Sequence, residues 1–383
     1  MKEVASGDVV ELWTVSGEPG GVPLDAYDVP AELQDIWRVQ CGARDGTQPG
    51  RGDPPPRFCG APGPHVLTGP IAVRGASPGD VLKVEILDAT PWVNWGWNSI
   101  RKGKGALGHL PAYGAVDETV VVPIDLDRRV AIPPWGHGAE IPLNVTGAGP
   151  FFGQMGVAPP KTSGVVSSLA PGPHGGNLDN KRLGPGATLY LPVNVPGAMF
   201  SAGDGHAVQG DGEFCVTALE TSLRGRFRLT VLKRLPGGAA VNELVNDPVF
   251  ASLTLPRAET ATHYVTMAFH EDLDAAEEAA LLDMIAWMRR VTGVGRVELY
   301  RTASLVGDMA VTQTVNGKKG VHLMMPKSVM DGLALAVGGG GPAGRAGRRA
   351  FAVLEDARGW VADFLRVCKG RCEELLANVR GEL

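Results

Sequence analysis

Apolar and polar residues alternate in short stretches over the first two thirds of the chain, a pattern typical of β-strands. In the second strand of the stretch 71–91, Leu82 and Val84 share one face, and Lys83 and Glu85 share the other. The same pattern predicts strands at 7–15, 187–193, 214–220 and 226–233, and a hairpin at 119–133. Gly and Pro separate these runs, which favours a β-sandwich or barrel. Strands do not alternate with helices, and no G-x-G-x-x-G opens a helix, so a dinucleotide-binding fold is excluded.

The pattern changes near residue 260 and predicts a smaller α+β unit over 260–336. The strand "THYVTMAF" precedes a helix whose apolar residues recur at helical spacing from Leu281 onward. Asp274 and Glu277 indicate a variant of the capping box at its start, and Gly293 is a natural stop. We expect "VELYRTASLVGDMAVTQTV" and "KGVHLMMP" to return to strand or mixed structure.

The C-terminal region is predicted to be a linker followed by a helix. Residues 337–349 have the Gly-rich, basic composition of a flexible linker. Residues 350–383 carry an apolar stripe at helical spacing, which predicts a helical extension. That stripe could pack on the chain's own body or on a second subunit, and both remain open. The N-terminal unit is expected to be a β-rich body over 1–259 that carries the active site.

Bulk composition narrows the class of protein. The chain has 383 residues, 44% hydrophobic and 20% charged, with a formal net charge of −5. This balance provides no basic field for nucleic acid, and no window of about 18 apolar residues predicts a membrane span. Five cysteines without zinc-ribbon spacing, behind an N-terminus without an apolar signal core, predict reduced thiols and a cytoplasmic protein.

The segment 201–220, "SAGDGHAVQGDGEFCVTALE", is the strongest candidate for a site. In extended backbone, residues two apart share a face, so Asp204 would point with His206, and Asp211 with Glu213. The intervening "AVQG" can form a tight turn that brings the two pairs together. Carboxylates and imidazole are ligands of divalent ions. The alternative is a glycine-rich acidic loop whose carboxylates are satisfied by backbone N–H groups.

Three other segments add candidates. Asn177 and Asp179 lie in the polar, glycine-rich "APGPHGGNLDNKRLGPG", for which an Asx-type turn is the simpler alternative. His65 stands just before a strand, where a single histidine is more often structural. Trp95 and Trp97 could line an apolar pocket for an acyl group, or they could pack a long loop on the sheet.

Five segments, taken in order, resemble the acetamidase/formamidase family. They are "GPHVLTGPIAVRGASPGDVL", "PFFGQMGVAP", "HGGNLDNKRL", "LYLPVNVPGAMFSAGDGHAVQGDGEFC" and "LVGDMAV". The resemblance covers roughly residues 5–330, and "DGHAVQGDGE" is its most specific part. It implies a mainly β fold with a smaller α+β part and hydrolysis of a short linear amide to carboxylate and ammonia. It also implies an intracellular homo-oligomer with a divalent metal, expected to be zinc.

The resemblance suggests roles for the polar residues of these segments. The expected metal ligands are Asp179, Asp204, His206 and His65. The expected catalytic residues are Glu213 as base and proton shuttle, Asp211 as the group that orients a histidine, and Asn177 as an oxyanion donor. The expected substrate-binding residues are Gln209, from the resemblance, and Trp95 and Trp97, from the tryptophan-rich stretch that contains them.

Other nucleophiles fit less well. There is no G-x-S-x-G elbow, and Ser167 and Ser168 lack the glycine-serine-rich context of serine amidases. Cys215 begins an apolar run, the usual setting of a buried structural thiol. Two other functions stay open: a non-catalytic metal-binding β-protein that binds a small ligand, and a hydrolase of another C–N compound, such as a cyclic amide.

Overall fold

The computed structural model describes residues 2–18, 21–40, 62–147, 149–233 and 253–338. In these ranges the strands are β1 (Lys2–Val4), β2 (Val9–Trp13), β3 (Leu67–Val73), β4 (Val81–Pro91), β5 (Trp95–Ile100), β6 (Glu118–Asp125), β7 (Val130–Ala131), β8 (Ile141–Pro142), β9 (Phe151–Gly156), β10 (Gly175–Asn177), β11 (Thr188–Pro192), β12 (Phe200–Val208), β13 (Leu219–Thr221), β14 (Leu223–Leu232), β15 (Arg257–Glu259), β16 (His263–His270), β17 (Asp308–Gln313) and β18 (Lys319–Pro326). The helices are α1 (Ala31–Gln40), α2 (Pro111–Gly114), α3 (Leu273–Thr292), α4 (Arg296–Val306) and α5 (Lys327–Gly338). Two 3-10 turns lie at Pro134–Gly136 and Lys161–Ser163. The mainly β prediction is confirmed.

Strand β12 is the central element of the first sheet. This sheet runs β1-β3-β12-β13-β5-β6-β7-β8, and β9 and β10 attach to it through β12. Strand β12 therefore pairs with β3, β9 and β13, all antiparallel. Side chains of β12 that point away from the core consequently lie at a junction of several strands, where groups distant in sequence meet.

A second sheet packs against the first. Its order is β17-β18-β16-β15-β11-β4-β14-β2. Phe227 on β14 makes edge contacts with Phe152 and Phe200 of the first sheet, with ring centroids 5.2 and 5.6 Å apart. All three rings are fully buried, so the main core lies between the sheets. Burial of such rings is the largest source of stability that a sandwich of this kind has.

The α+β segment extends the second sheet. Strand β15 pairs with both β11 and β16, so β16, β18 and β17 continue it at one edge. Helix α3 covers this part and buries Met284, Trp287 and Met288. The helix is capped by Asp272, whose Oδ1 accepts a hydrogen bond from the Ala275 N–H at 2.9 Å.

Three local expectations need correction. The cap at Asp272 replaces the Asp274 capping box, because that carboxylate is the one that reaches the third N–H of the helix. The stretch 297–315, expected as strand or mixed structure, is mixed, but its first part forms the helix α4 and only Asp308–Gln313 forms a strand. The strand expected over 214–220 is confined to Leu219–Thr221, since the chain turns after Glu213.

Several expectations lie outside the described residues. These are most of the linker at 337–349, the extension at 350–383, and four of the five cysteines, Cys41, Cys59, Cys368 and Cys372. Among the described helices, none combines the length and the apolar character that crossing a membrane requires.

Candidate active site

Two strand pairings assemble the centre of the site on β12. His206 lies directly opposite Glu220 of β13 in the antiparallel register. On the other side, the pairs Gly203–Gln154 and Gly205–Phe152 flank Asp204 and Gly153 of β9. The sheet therefore brings an imidazole, two carboxylates and a glycine to one point.

Four buried carboxylates surround His206. Its Nε2 lies 3.3 Å from an oxygen of Glu220, 3.5 Å from one of Asp204 and 3.9 Å from one of Asp179. Glu213 completes a second group, in which its carboxylate lies within 4.8 Å of the donor atoms of Asp179 and His206. All five side chains are buried. We call these residues the carboxylate–histidine cluster.

Three of the clustered acids have left-handed backbone conformations. The φ angles are 46° at Asp179, 55° at Asp204 and 42° at Glu213. Non-glycine residues rarely adopt this region, and the strain costs of order 1–3 kcal/mol at each position. Such strain concentrates at functional sites, where surrounding structure fixes a side chain in a useful direction.

Gln209 fixes the orientation and the tautomer of His206. The Gln209 Nε2 group donates to the Asp179 carbonyl oxygen at 2.7 Å, so the amide oxygen faces the imidazole. That oxygen lies 2.7 Å from His206 Nδ1, which must carry the proton and donate it. In the neutral form of His206 the lone pair is therefore on Nε2, the atom that faces the carboxylates.

Gly153 leaves open the point on which the donors converge. A Cβ atom placed on this residue would lie 2.7 Å from Asp179 Oδ1, from Asp204 Oδ2 and from His206 Nε2. One position in space is thus equidistant from two carboxylate oxygens and one imidazole nitrogen. Any side chain at residue 153 would occupy it.

The cluster contains more buried carboxyl groups than nearby positive charges can neutralise when all of them are ionised. Asp179 Oδ1, Glu213 Oε2 and Glu220 Oε2 are buried without a hydrogen-bond partner. Burial raises the pKa of Asp179 and of Glu213 well above the usual carboxyl value, and that of Glu220 to about 7. Although burial lowers the pKa of His206, the neighbouring carboxylates of Glu220 and Asp204 raise it well above its usual value.

Asp204 differs from the other acids. Burial raises its pKa, but His65 and His206 together hold it below the ordinary value. The whole set of oxygen and nitrogen donors, with the open point beside Gly153, fits a divalent cation, because such an ion would satisfy the unpaired oxygens.

His65 and Asn316 border the cluster. His65 Nε2 lies 3.7 Å from Asp204 Oδ2, and its Nδ1 contacts Ser168 Oγ at 3.0 Å. Asn316 donates a hydrogen bond to Asp179 Oδ2, which leaves the other oxygen of that carboxylate facing His206.

Two expected catalytic residues have other partners. Asp211 forms an ion pair with Lys181, 2.8 Å apart, whereas the group that orients His206 is Gln209. The expectation that Asp211 orients a histidine of the site is therefore replaced by a role for Gln209. The Asn177 amide donates to the Leu169 carbonyl at 3.1 Å and keeps one N–H.

A cavity of about 250 Å³ opens beside the cluster. Gln209 and Glu213 line it, but Trp95 and Trp97 do not. The two tryptophans are buried in a separate core, where the Trp95 indole donates to the Asp28 carbonyl at 3.1 Å. The cavity does not support their expected substrate-binding role, because strand β5 turns them towards this core, whereas Asn98 of the same strand lines the cavity. Trp135, which the sequence analysis did not single out, lines it instead.

Sequence reasoning also missed Glu220, Gly153 and Asn316. The signal for Glu220 was available, since it is a charged residue at the end of the apolar run "FCVTALE". The other two gave no chemical signal, because a glycine after two phenylalanines and an asparagine in a turn are common structural features.

The fold and the cluster together define a two-layer β-protein with a candidate site for a divalent cation. Comparison with known proteins narrows this class. The chain belongs to the Acetamidase/Formamidase family, whose model matches residues 59–165 and 164–331.

Individual relatives agree with this assignment. The acetamidase of Bacillus halodurans has a similar structure, with a TM-score of 0.65 and 28% identity over 87% of this chain and 93% of that one. The Mycolicibacterium smegmatis acetamidase is 28% identical over 245 residues, 49% of this chain and 57% of that protein. A Schizosaccharomyces pombe protein with a provisional formamidase name is 33% identical over 199 residues, 39% of this chain and 48% of that protein. The chain thus spans about half the length of these two curated relatives.

Proposed function

We propose that the chain is a metal-dependent amidohydrolase that converts a short linear amide to a carboxylate and ammonia. The observation that carries the proposal is the convergence of Asp179, Asp204 and His206 on the open point beside Gly153, next to a cavity. Its relatives include proteins named acetamidase. Zinc as the metal, a homo-oligomeric assembly and a cytoplasmic location are parts of the same proposal.

The ligand set in this proposal is Asp179, Asp204 and His206, with Glu220 added from the geometry and His65 at the border. A divalent ion bound there would polarise the amide carbonyl and lower the pKa of a nearby water. Gln209 holds the proton of the neutral imidazole on Nδ1, so His206 Nε2 can act as a ligand when a cation is bound.

Glu213 is proposed to move the proton. Its Oε2 is unpaired, and the residue lines both the cluster and the cavity. As water oxygen bonds to the carbonyl carbon, Glu213 takes the water proton. As the C–N bond breaks, Glu213 passes this proton to the departing nitrogen, so ammonia leaves and the acyl group becomes a carboxylic acid. At neutral pH this acid releases its remaining proton to solvent and becomes the carboxylate. The remaining N–H of Asn177 is the proposed donor to the developing oxyanion.

Ammonia release tests this proposal. The purified protein is assayed with formamide and acetamide, its metal content is measured, and the assay is repeated after chelation and after zinc is restored. We expect turnover that follows the metal content and is lost in Glu213→Gln, whereas Glu32→Gln on exposed α1 leaves it unchanged. A metal-loaded protein that hydrolyses no amide would contradict the proposal and favour the non-catalytic alternative.

A further inference from the structure

The cavity is continuous with the carboxylate–histidine cluster. Glu213 belongs to the cluster and lines the cavity, and Gln209, which contacts His206, lines the cavity as well. A molecule whose carbonyl group reaches Glu213 would therefore extend its substituent into the cavity. Glu213 is buried at this inner end, whereas Trp135 and Phe214 in the cavity lining are 56% and 66% exposed. The cavity therefore has a reactive inner end and an aromatic mouth.

The wall between these two ends is apolar. It is formed mainly by Val122, Ala131, Ile141, Val208 and Leu219. Such a lining offers an apolar substituent dispersion contacts and removal from water. It offers no hydrogen-bond or charge partner to a charged or strongly polar group.

The polar residues of the wall are occupied with each other. The Asn98 amide donates to the Thr217 and Ala218 carbonyls at 3.1 and 3.0 Å. The Thr217 hydroxyl accepts from the Ser99 N–H at 2.8 Å. Among the described wall residues, the buried polar atom without a partner is Glu213 Oε2. Polarity is thus confined to the end where an amide group would react.

The size of the cavity exceeds what acetamide requires. An apolar cavity of roughly 150 Å³ is large enough to hold benzene. The cavity here has about 250 Å³, whereas the acyl group of acetamide would place a single methyl in it. A methyl group would leave most of the apolar wall without contacts.

We propose that the cavity is an acyl-binding site and that the chain prefers primary amides whose acyl group is branched or aromatic over acetamide and formamide. This inference rests on the proposed amide hydrolysis. Each buried methylene group in a hydrophobic pocket changes kcat/KM by about 10-fold or more. The preference should therefore increase with the apolar size of the acyl group.

Comparison of kcat/KM among amides of increasing acyl size tests the inference. Values of kcat/KM are measured for formamide, acetamide, isobutyramide and benzamide on the metal-loaded protein. We expect isobutyramide and benzamide to exceed acetamide by about 10-fold or more. Saturable stabilisation of the protein against thermal unfolding by benzamide, absent with acetamide at equal concentration, provides a second readout that does not depend on turnover.

Two variants change the cavity lining and leave the proposed catalytic residues unaltered. Ile141→Trp fills the wall and should bring the ratio of kcat/KM for isobutyramide to that for acetamide close to one. Trp135→Ala opens the mouth at an exposed position, so it should fold normally and lower kcat/KM for benzamide by about 10-fold. Trp13→Ala, at a similarly exposed tryptophan on β2, is the matched control and should change neither ratio.

The outcomes distinguish the two proposals. Hydrolysis of acetamide without any preference for larger amides, and with ratios unchanged in Ile141→Trp and Trp135→Ala, would overturn the acyl-site inference alone. Absence of turnover with every amide would overturn the proposed hydrolysis and the inference with it.

Discussion

His206 and Glu220 face each other across two antiparallel strands, with Nε2 of one 3.3 Å from Oε2 of the other. Both side chains are buried, and their backbones are held by ladder hydrogen bonds of the first sheet. The centre of the candidate site thus lies on rigid strands, and the turn that carries Glu213 follows directly after β12. A site of this kind is organised before any ligand arrives.

Gly153 provides the sharpest test of the cation site. Gly153→Ala would place a Cβ atom 2.7 Å from three donor atoms, so we expect the purified variant to retain less than about one tenth of the metal content. Elemental analysis measures this, with circular dichroism to confirm folding. Gly210→Ala is the matched control, because a Cβ there meets no atom within 4 Å. Normal metal content in Gly153→Ala would exclude the assigned point.

Gln209 is predicted to act on the metal only through His206. In Gln209→Leu the imidazole loses its acceptor at Nδ1 and its fixed tautomer, which should weaken metal affinity by about 10–100-fold. Titration against a chelator of known affinity measures the change. Gln34→Leu in α1 removes an exposed glutamine whose amide donates to the Val29 carbonyl, and it should leave the affinity unchanged. Equal affinities in the two variants would show that Gln209 does not position the ring.

Glu213 and Glu220 are expected to separate chemistry from binding. Glu213→Gln should keep its metal and lose about 10²–10⁴-fold in kcat, because it removes the proposed proton carrier. Glu220→Gln should lose metal affinity first, since Glu220 lies closest to His206 Nε2 among the paired carboxylates. Both variants are measured for metal content and for kcat at saturating metal. If Glu213→Gln lost metal and Glu220→Gln lost only kcat, Glu220 would be the proton carrier and Glu213 the metal ligand.

How far the sequence alone leads can be judged from single elements. The alternation of Leu82 and Val84 with Lys83 and Glu85 predicted β4, because one strand face meets the core. The period of α3 was equally clear, since one face of the helix covers the sheet. The order of strands was not predictable, because pairings such as β12 with β9 join segments that are distant in the chain and depend on packing of the whole fold.

In the candidate site, too, residues marked by a local sequence pattern were predictable, whereas contacts between distant segments were not. Asp204 and His206 were singled out from local spacing, and the structure places them together. Glu220 escaped notice because its partner across the sheet is invisible in a linear pattern. Trp95 and Trp97 were misread for a related reason: composition marks a tryptophan as important but does not tell which side of a strand faces a cavity and which faces the core.

His322, which is not a member of the cluster, gives a prediction for the dependence of stability on pH. Burial lowers the pKa of His322 to about 4; the charge of Asp211 opposes this, and Arg182 and Lys181 reinforce it. Its Nδ1 contacts the Thr312 hydroxyl at 2.8 Å, and its Nε2 is buried without a partner. The folded protein therefore keeps this imidazole neutral at pH values where the unfolded chain already binds a proton.

The sign of the effect follows from this difference in proton uptake. Above pH of about 6.5 both states are neutral at this position, so the group does not affect the free energy of unfolding. As the pH falls from about 6.5 to about 4, the unfolded state gains a proton that the folded state does not, and His322 destabilises the fold by about 3 kcal/mol in total. Below that range the contribution is constant.

Chemical denaturation of His322→Gln should show a correspondingly smaller loss of stability between these pH values, whereas His109→Gln, at an exposed histidine, should keep the full loss. Parallel curves for His322→Gln and the unmodified protein would show that His322 is not the group responsible.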